Sequence, residues 1–443
     1  MARAHLHTLR PLATAGQPPL NRQLRRFLAR ELADLRPTMA RSVAQHRANR
    51  YRKHFDSYAH LCLLLFHGLS GSPSLRHSYA AFPTCPGLVA LSGLGTTDPD
   101  RLAISFSQLA ASTTSRPAGI LADLVPALCA RVRQGGVRQA GGPPADLRIL
   151  DMTFLRLSYQ IAPWLPVQEG PPGSGVRTQL LYTPALDLPE GVLITDTRRN
   201  DVQGLDALIL DDPERLASLR EHTLAVDLGY YSHARFARLR QAGVHFVTRR
   251  HAQATLTVTA QRPIQPALPG WPAEVADRIV VSQDAEITLG SPNNRAGTVL
   301  EGLRLVVATV APRARAARGG ATPVIYEVLT DRFDLTAAEV VLCYLWRWQI
   351  ELFFRWLTRV LHVVRLLGYS RNAVELSIWL ALVVHLLLVL AAQAVGLRRR
   401  SPALLARMRW VLAQVGTAEG ADAVPTARQF PLPGFPSPAL VPT

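Results

Sequence analysis

The spacing of apolar residues changes period twice along the chain, and the changes divide it. Leu24, Phe27, Leu28, Leu32 and Leu35 recur at helical spacing between Arg22 and Arg36. Arg22, Arg25, Arg26 and Arg30 form a basic flank, and Pro37 is the expected stop. His60–Leu69 is a short, wholly apolar helix candidate, and Gly71–Ser74 reads as a turn. Glycines and small residues mark Gly87–Gly95 as a loop. Ile104–Arg133 reads as helix broken near Pro117 and Pro126. Residues 1–135 are therefore expected to be all-α, and the Gly- and Pro-rich stretch 134–144 a linker.

From Leu147 the period shortens. Leu147–Leu157 is a continuous apolar run with one acid, Asp151, inside it, as in a buried central strand. Val176–Thr183 and Gly191–Asp196 read as a hairpin. Val202–Leu210 suggests a short helix, and His222–Asp227 a strand ending in an acid. Ser232–Ala242 is an amphipathic helix and Val244–Arg249 a further strand. Between 250 and 330 come short β runs separated by Pro and Gly. Helix returns near Leu335.

Tyr344–His362 reads as one long helix, with its start signalled by Asp334 and Ala337–Glu339. At about 100° per residue, one stripe gathers Tyr344, Arg347, Glu351, Arg355, Thr358 and His362. Two readings of that stripe compete: i,i+4 pairing of Glu351 with Arg347 and Arg355, or an acid at a metal site with basic and aromatic groups holding a phosphate chain. Leu376–Leu397 is long enough to cross a bilayer, with Arg398–Arg400 behind it. A core helix packed on the Tyr344 helix accounts better for a single such segment carrying His385 and Gln393.

The 443 residues and 48% hydrophobic content allow a large core in two or three domains. The formal charge of +17 points to an anionic polymer or membrane as partner. The first sixty positions carry twelve basic residues against Glu31, Asp34 and Asp56, more than half of that excess. There Tyr51 and Phe55 interleave with Arg50, Arg52 and Lys53, a pattern suited to DNA. Cys62, Cys85, Cys129 and Cys343 lack paired spacing, which argues against a zinc finger or disulfide scaffold and fits a reducing cytoplasm. No signal peptide and no membrane partner are expected.

Three acids stand out against this background: Asp151 inside a strand, Asp227 at the end of another, and Glu351 on a helix. A carboxylate within an apolar strand is costly unless paired or holding a metal. Converging from one side of a mixed sheet, these three would make an oxygen-ligand site for Mg²⁺, and two such ions can cut a phosphodiester. The order strand–strand–strand–helix–strand–helix–strand suits a ribonuclease-H-like α/β core. The interval from Asp227 to Glu351 far exceeds the roughly 35–40 residues that a helix, a strand and connections need. The stretch 250–330 is thus expected to be a β-rich insertion.

The chain resembles the DDE transposases of the bacterial insertion-sequence-four group. The segments that carry the resemblance are LRILDMT around Asp151, GVLITDTRRND, LAVDLGYYSHARFARLRQAGVHFVTRR around Asp227, and VLTDRFDLTAAEVVLCYLWRWQIELFFRWL around Glu351. Tyr344, Arg347 and Glu351 match the group's signature Y-x2-R-x3-E-x6-K, whereas Thr358 stands at the lysine. The resemblance implies cut-and-paste transposition with Asp151, Asp227 and Glu351 as catalytic and metal-holding residues. Tyr344, Arg347, Arg355 and Arg359 are the expected DNA contacts, with an arginine replacing the lysine. Magnesium, two ions with manganese as substitute, is the implied cofactor. The implied partners are the element's terminal inverted repeats, target DNA and a second copy in a synaptic homodimer, in the cytoplasm at the nucleoid.

The expected division is a DNA-binding region over 1–135, a core over 145–249, the insertion over 250–330, the last part of the core over 331–397, and a basic then Pro-rich tail over 398–443. By region, Trp271 falls where related enzymes offer an aromatic to an extruded base, and packing is its competing role. The rivals to a transposase are a ribonuclease-H-like nuclease without strand transfer and a decayed, non-catalytic DNA-binding protein.

Overall fold

Side chains of β1 (Leu147–Arg156) alternate between two cores, Leu147 and Ile149 facing one and Leu150 the other. This strand is the centre of the computed structural model, which describes residues 20–49, 55–136, 142–167, 173–198, 201–265, 277–291, 298–312 and 319–413. β2 (Gly175–Thr183) and β3 (Leu188–Asp196) pair antiparallel along one edge of β1. β4 (Thr223–Val226) and β5 (His245–Arg249) continue from its other edge in parallel. β6 (Leu256–Gln261), β7 (Ile279–Leu289), β8 (Leu300–Val310) and β9 (Val324–Thr330) form an antiparallel run that joins β5 through β9. The sheet order is β3-β2-β1-β4-β5-β9-β8-β7-β6, so the chain is a mixed α/β fold built on one large mixed sheet. The two runs around Val280 and Ile287, separate in the sequence pattern, are a single strand bent by register irregularities.

The described residues from Leu20 to Gln134 carry helices at Leu20–Gln45, Ser57–Ser70, Leu75–Ala81, Pro86–Ser92, Phe106–Ser115, Gly119–Ala122 and Leu124–Gln134. Two expectations fail here. Pro37 lies inside the first helix rather than ending it, because Met39 and Ser42 on the following turns are buried and tertiary packing outweighs one lost backbone bond. Residues 87–92, read as loop, are helical; Pro86 starts that helix and Gly93, in the left-handed region at φ 68°, ends it. Pro126 also breaks nothing. It occupies the first turn of its helix, where a backbone donor has no partner to lose.

The Arg371–Val395 helix is long and apolar enough to cross a membrane, and it is mostly buried within the protein. It packs against the first helix and against Ser57–Ser70 and Leu124–Gln134. Leu404, Met408 and Val411 of a further helix, Pro402–Ala413, are also buried, so the residues just past Arg400 belong to the core and not to a tail. The Pro-rich remainder lies outside the described residues.

The segment around Glu351 is also less uniform than its periodicity suggests. It starts at Thr336, in a capping box: the Thr336 hydroxyl accepts from Glu339 N–H at 3.3 Å and the Glu339 carboxylate accepts from Thr336 N–H at 2.7 Å. Asp334, expected as the cap, pairs with Arg332 instead. Helix runs over Ala337–Trp346, tightens at Arg347 through i→i+3 bonds, and resumes over Trp348–Arg355. A π turn over Trp356–Val360 follows, closed by Leu361 N–H on the Trp356 carbonyl.

Candidate active site

Parallel register sets the first two acids side by side. Leu150 of β1 pairs with Val226 of β4, so the next residues, Asp151 and Asp227, fall together where β4 ends. Asp151 shares its strand face with Ile149, the face on which the Trp348–Arg355 helix packs. Its Oδ1 accepts from Met152 N–H at 2.8 Å. Asp227 caps the turn Leu228–Tyr230, accepting from Gly229 N–H at 3.4 Å.

The third acid comes from that helix. Glu351 is half-buried and is tied to Asp151 through Arg347, whose Nη1 donates to Asp151 Oδ2 and whose Nη2 donates to Glu351 Oε1, each at 2.9 Å. The helical stripe therefore shows the expected pairing of Glu351 with Arg347 but, among the described ion pairs, none with Arg355. The i,i+4 pair is present, and its arginine also reaches the strand acid. Tyr344 is buried, with its ring 5.8 Å from the Arg347 guanidinium carbon.

Arg355 and Arg359 are exposed, outside this cluster. The guanidinium of Arg355 lies 5.2 Å from the ring of Trp348, itself exposed. Thr358 is in the π turn and donates its hydroxyl to the Phe354 carbonyl at 2.8 Å. The extra residue of a π turn breaks the stripe that a straight helix would have continued from Arg355 to Thr358. Trp271 lies outside the described residues.

Burial pushes the Asp151 carboxyl up to about 6; Met152 N–H and Arg347 oppose this, while Asp227 and Glu351 add to it. Arg347 is itself held above its ordinary value: burial works against its charge, and Asp151, Tyr344, Asp227 and Glu351 outweigh burial. Asp151 is thus a buried carboxylate whose burial Arg347 does not fully offset. Carboxylate oxygens in a half-buried rim are the donor type that a hard divalent cation takes. As the side chains stand, no three His, Cys, Asp or Glu groups among the described residues converge closely enough to hold one, since the Arg347 fork spans the gap between Asp151 and Glu351.

Asp201, Arg177 and Tyr230 also reach this rim, and the sequence reading assigned none of them a role. Asp201 and Tyr230 stand inside the segments GVLITDTRRND and LAVDLGYYS, which were the available signal. Arg177 Nη1 donates to Asp201 Oδ1 at 2.9 Å. Tyr230 is 1% exposed, and Asp151, Asp201 and Asp227 all act on its hydroxyl electrostatically.

Residues 142–387 match the protein family described as Transposase DDE domain. The putative transposase y4zB of Sinorhizobium fredii is 26% identical over 333 residues, covering 73% of this chain and 84% of that protein. The probable transposase for insertion sequence element IS5377 of Geobacillus stearothermophilus is 26% identical over 247 residues, 55% of this chain and 56% of its own length. Among solved structures, the piggyBac transposase synaptic complex with hairpin DNA aligns with 90% of this chain and 81% of that one, at 11% identity and a TM-score of 0.37.

Proposed function

The chain belongs to the DDE transposase family, and on that premise we propose that it is a magnesium-dependent transposase of the insertion-sequence-four group that cuts DNA at element ends and joins the freed 3′ ends to target DNA. Asp151, Asp227 and Glu351 are the catalytic carboxylates and hold the divalent ions, two per site, with manganese as a substitute. A bound ion supplies Lewis-acid activation of the attacking oxygen and stabilises the leaving oxygen. Arg347 positions Asp151 and Glu351 and offers a guanidinium to the phosphate at the cut, with Tyr344 bracing it. Arg355 and Arg359 lie outward, where a DNA backbone would pass.

The observations that support this reading are the β1–β4 register beside Asp151 and Asp227 and the two-armed Arg347 bridge from Asp151 to Glu351. The strand order β3-β2-β1-β4-β5, with β1, β4 and β5 parallel, supports a ribonuclease-H-like core over 145–249, completed by 331–397. On this reading β6–β8 form an inserted arm, residues 1–135 bind DNA, and two copies form the synapse.

The test is excision of a selectable marker flanked by the DNA that adjoins this gene. The unsubstituted chain should excise it, and Asp151→Asn, Asp227→Asn and Glu351→Gln should each abolish excision while keeping the melting temperature. Excision that survives all three substitutions would remove the assignment. A second reading, a decayed transposase that binds DNA without cutting it, is favoured by Thr358, whose hydroxyl turns onto its own helix. It predicts end binding without excision by the unsubstituted chain.

A further inference from the structure

The rim described above has a second side. The Asp201–Leu205 helix packs against β1 and against the turn Leu228–Tyr230. Gln179 lies beneath it and donates to the Asp201 carbonyl at 3.3 Å. Gln179 and Arg177 share the β2 face of Leu181, which lines the core opposite the Glu351 helix. Asp201 therefore approaches the rim from the other face of the sheet.

Its two carboxylate oxygens differ. Oδ1 is taken by Arg177. Oδ2 points to the Asp227 turn, where a Cβ added to Gly229 would sit 3.0 Å from it, so glycine at 229 leaves this oxygen open. Burial raises the Asp201 carboxyl, Arg177 pulls it back, and Asp227 pushes the same way as burial.

Tyr230 supplies an independent observation beside Asp227. Its hydroxyl is buried, has no hydrogen-bond partner among the described residues, and is acted on electrostatically by Asp151, Asp201 and Asp227. A buried phenol normally finds a partner, since an unmet buried hydroxyl is destabilising. Three acids thus act on one unpartnered phenol, and Arg177 and Arg347 are the cations paired with two of them, Asp201 and Asp151.

We propose that the divalent-cation site extends to this second face, with Asp201 as a further carboxylate ligand and the Tyr230 hydroxyl as a donor to an oxygen of the ion's shell. The proposal rests on the carboxylate-site reading given above and adds to it a ligand outside the three acids. Glycine at 229 then has a stated purpose, and so does the otherwise orphaned phenol.

The test uses the full-length chain and Mn²⁺, with free Mn²⁺ followed by its electron paramagnetic resonance signal. Fe²⁺ with ascorbate then cuts the backbone beside the bound ion, and the cuts are mapped by mass spectrometry. The unsubstituted chain should be cut near 151 and 227 and also near 201. Asp201→Asn should weaken Mn²⁺ binding about tenfold and remove the cut near 201 while keeping those near 151 and 227. Tyr230→Phe should weaken binding severalfold with an unchanged metal-free melting temperature. If both variants bind Mn²⁺ as tightly as the parent while Asp151→Asn does not bind it, Asp201 serves only to pair with Arg177 and the extension is wrong. If the parent itself binds no Mn²⁺ and is cut nowhere near 151 or 227, the three-acid site fails, and this inference fails with it.

Discussion

Arg347 donates to Asp151 at 2.9 Å although 196 positions separate them. The bond makes the arginine a placeholder between strand and helix, holding two carboxylates that would otherwise repel. Replacing it with methionine removes a positive charge from the site and frees both acids. Arg347→Met should therefore bind Mn²⁺ as tightly as the parent or more tightly, yet cut a labelled element end about a hundredfold more slowly. Parallel losses of ion binding and cleavage would instead mean that Arg347 serves only to build the site.

Arg355 stacks on exposed Trp348 and has no carboxylate to neutralise it within the described ion pairs. On the transposase reading proposed above, it is the cation that would take the phosphate contact of the signature lysine. Arg355→Ala should slow end cleavage about tenfold, as loss of a charge-assisted phosphate contact does. Thr358→Lys should leave cleavage equal or faster. Rescue of an inactive parent by Thr358→Lys, with no effect of Arg355→Ala, would mark this copy as decayed.

The convergence of Asp151 and Asp227 was legible because each acid sits in or after an apolar strand, and parallel strands in one sheet bring such positions together. Most strands and helices were legible for the same reason, their apolar period. The Arg347 fork was not, since local spacing announces its i,i+4 partner and hides a partner on a strand. Local rules failed where packing overrode them, as at Pro37, and where a π turn shifted the phase, as at Thr358. Asp201 and Tyr230 lay in plain sight in the sequence. Their meaning depends on which face of the sheet each element covers, and no linear pattern carries that.

The first helix carries Arg25, Arg26 and Arg30 outside its buried stripe of Leu24, Phe27, Leu28 and Leu32. Its apolar side packs on helices from the far end of the chain, so the full chain is the right material for a binding test. Replacing the three arginines with glutamine should weaken DNA binding across sequences and lower the slope of log affinity against log salt by about two to three. An unchanged slope, measured by fluorescence anisotropy over a salt series, would place the phosphate contacts elsewhere.

His67 is buried, with Nδ1 2.7 Å from the Ser78 hydroxyl. Burial, with a smaller push from Arg365, lowers its pKa from 6.5 to about 4. The unfolded chain thus takes up a proton near 6.5 that the folded chain refuses until about 4. Stability rises with pH across that window and is complete above it. By pH 5 the folded chain should have lost about 2 kcal/mol from this group. Urea titrations at pH 7 and pH 5 should show that loss in the parent and a distinctly smaller one in His67→Gln. Equal losses in both would clear His67 of the effect.

Arg400 holds a buried anion in place. Asp187, in the left-handed region at φ 61°, accepts from Arg400 Nε at 3.0 Å and from the buried Tyr182 hydroxyl. His385 Nε2 lies 2.8 Å from the Asp187 carbonyl oxygen. Burial pushes the Asp187 carboxyl up, but Arg400, His385 and Tyr182 together hold it below its ordinary value. Removing only the arginine leaves a buried charge without its cation, so Arg400→Ala should cost about 3–5 kcal/mol in urea unfolding. Asparagine tolerates the left-handed backbone and carries no charge. The pair Asp187→Asn with Arg400→Met should therefore cost clearly less than Arg400→Ala alone, because neither change strands an ion. If the double variant is the less stable of the two, the Asp187 carboxylate is worth more through its bond from Tyr182 than its charge costs once Arg400 is gone.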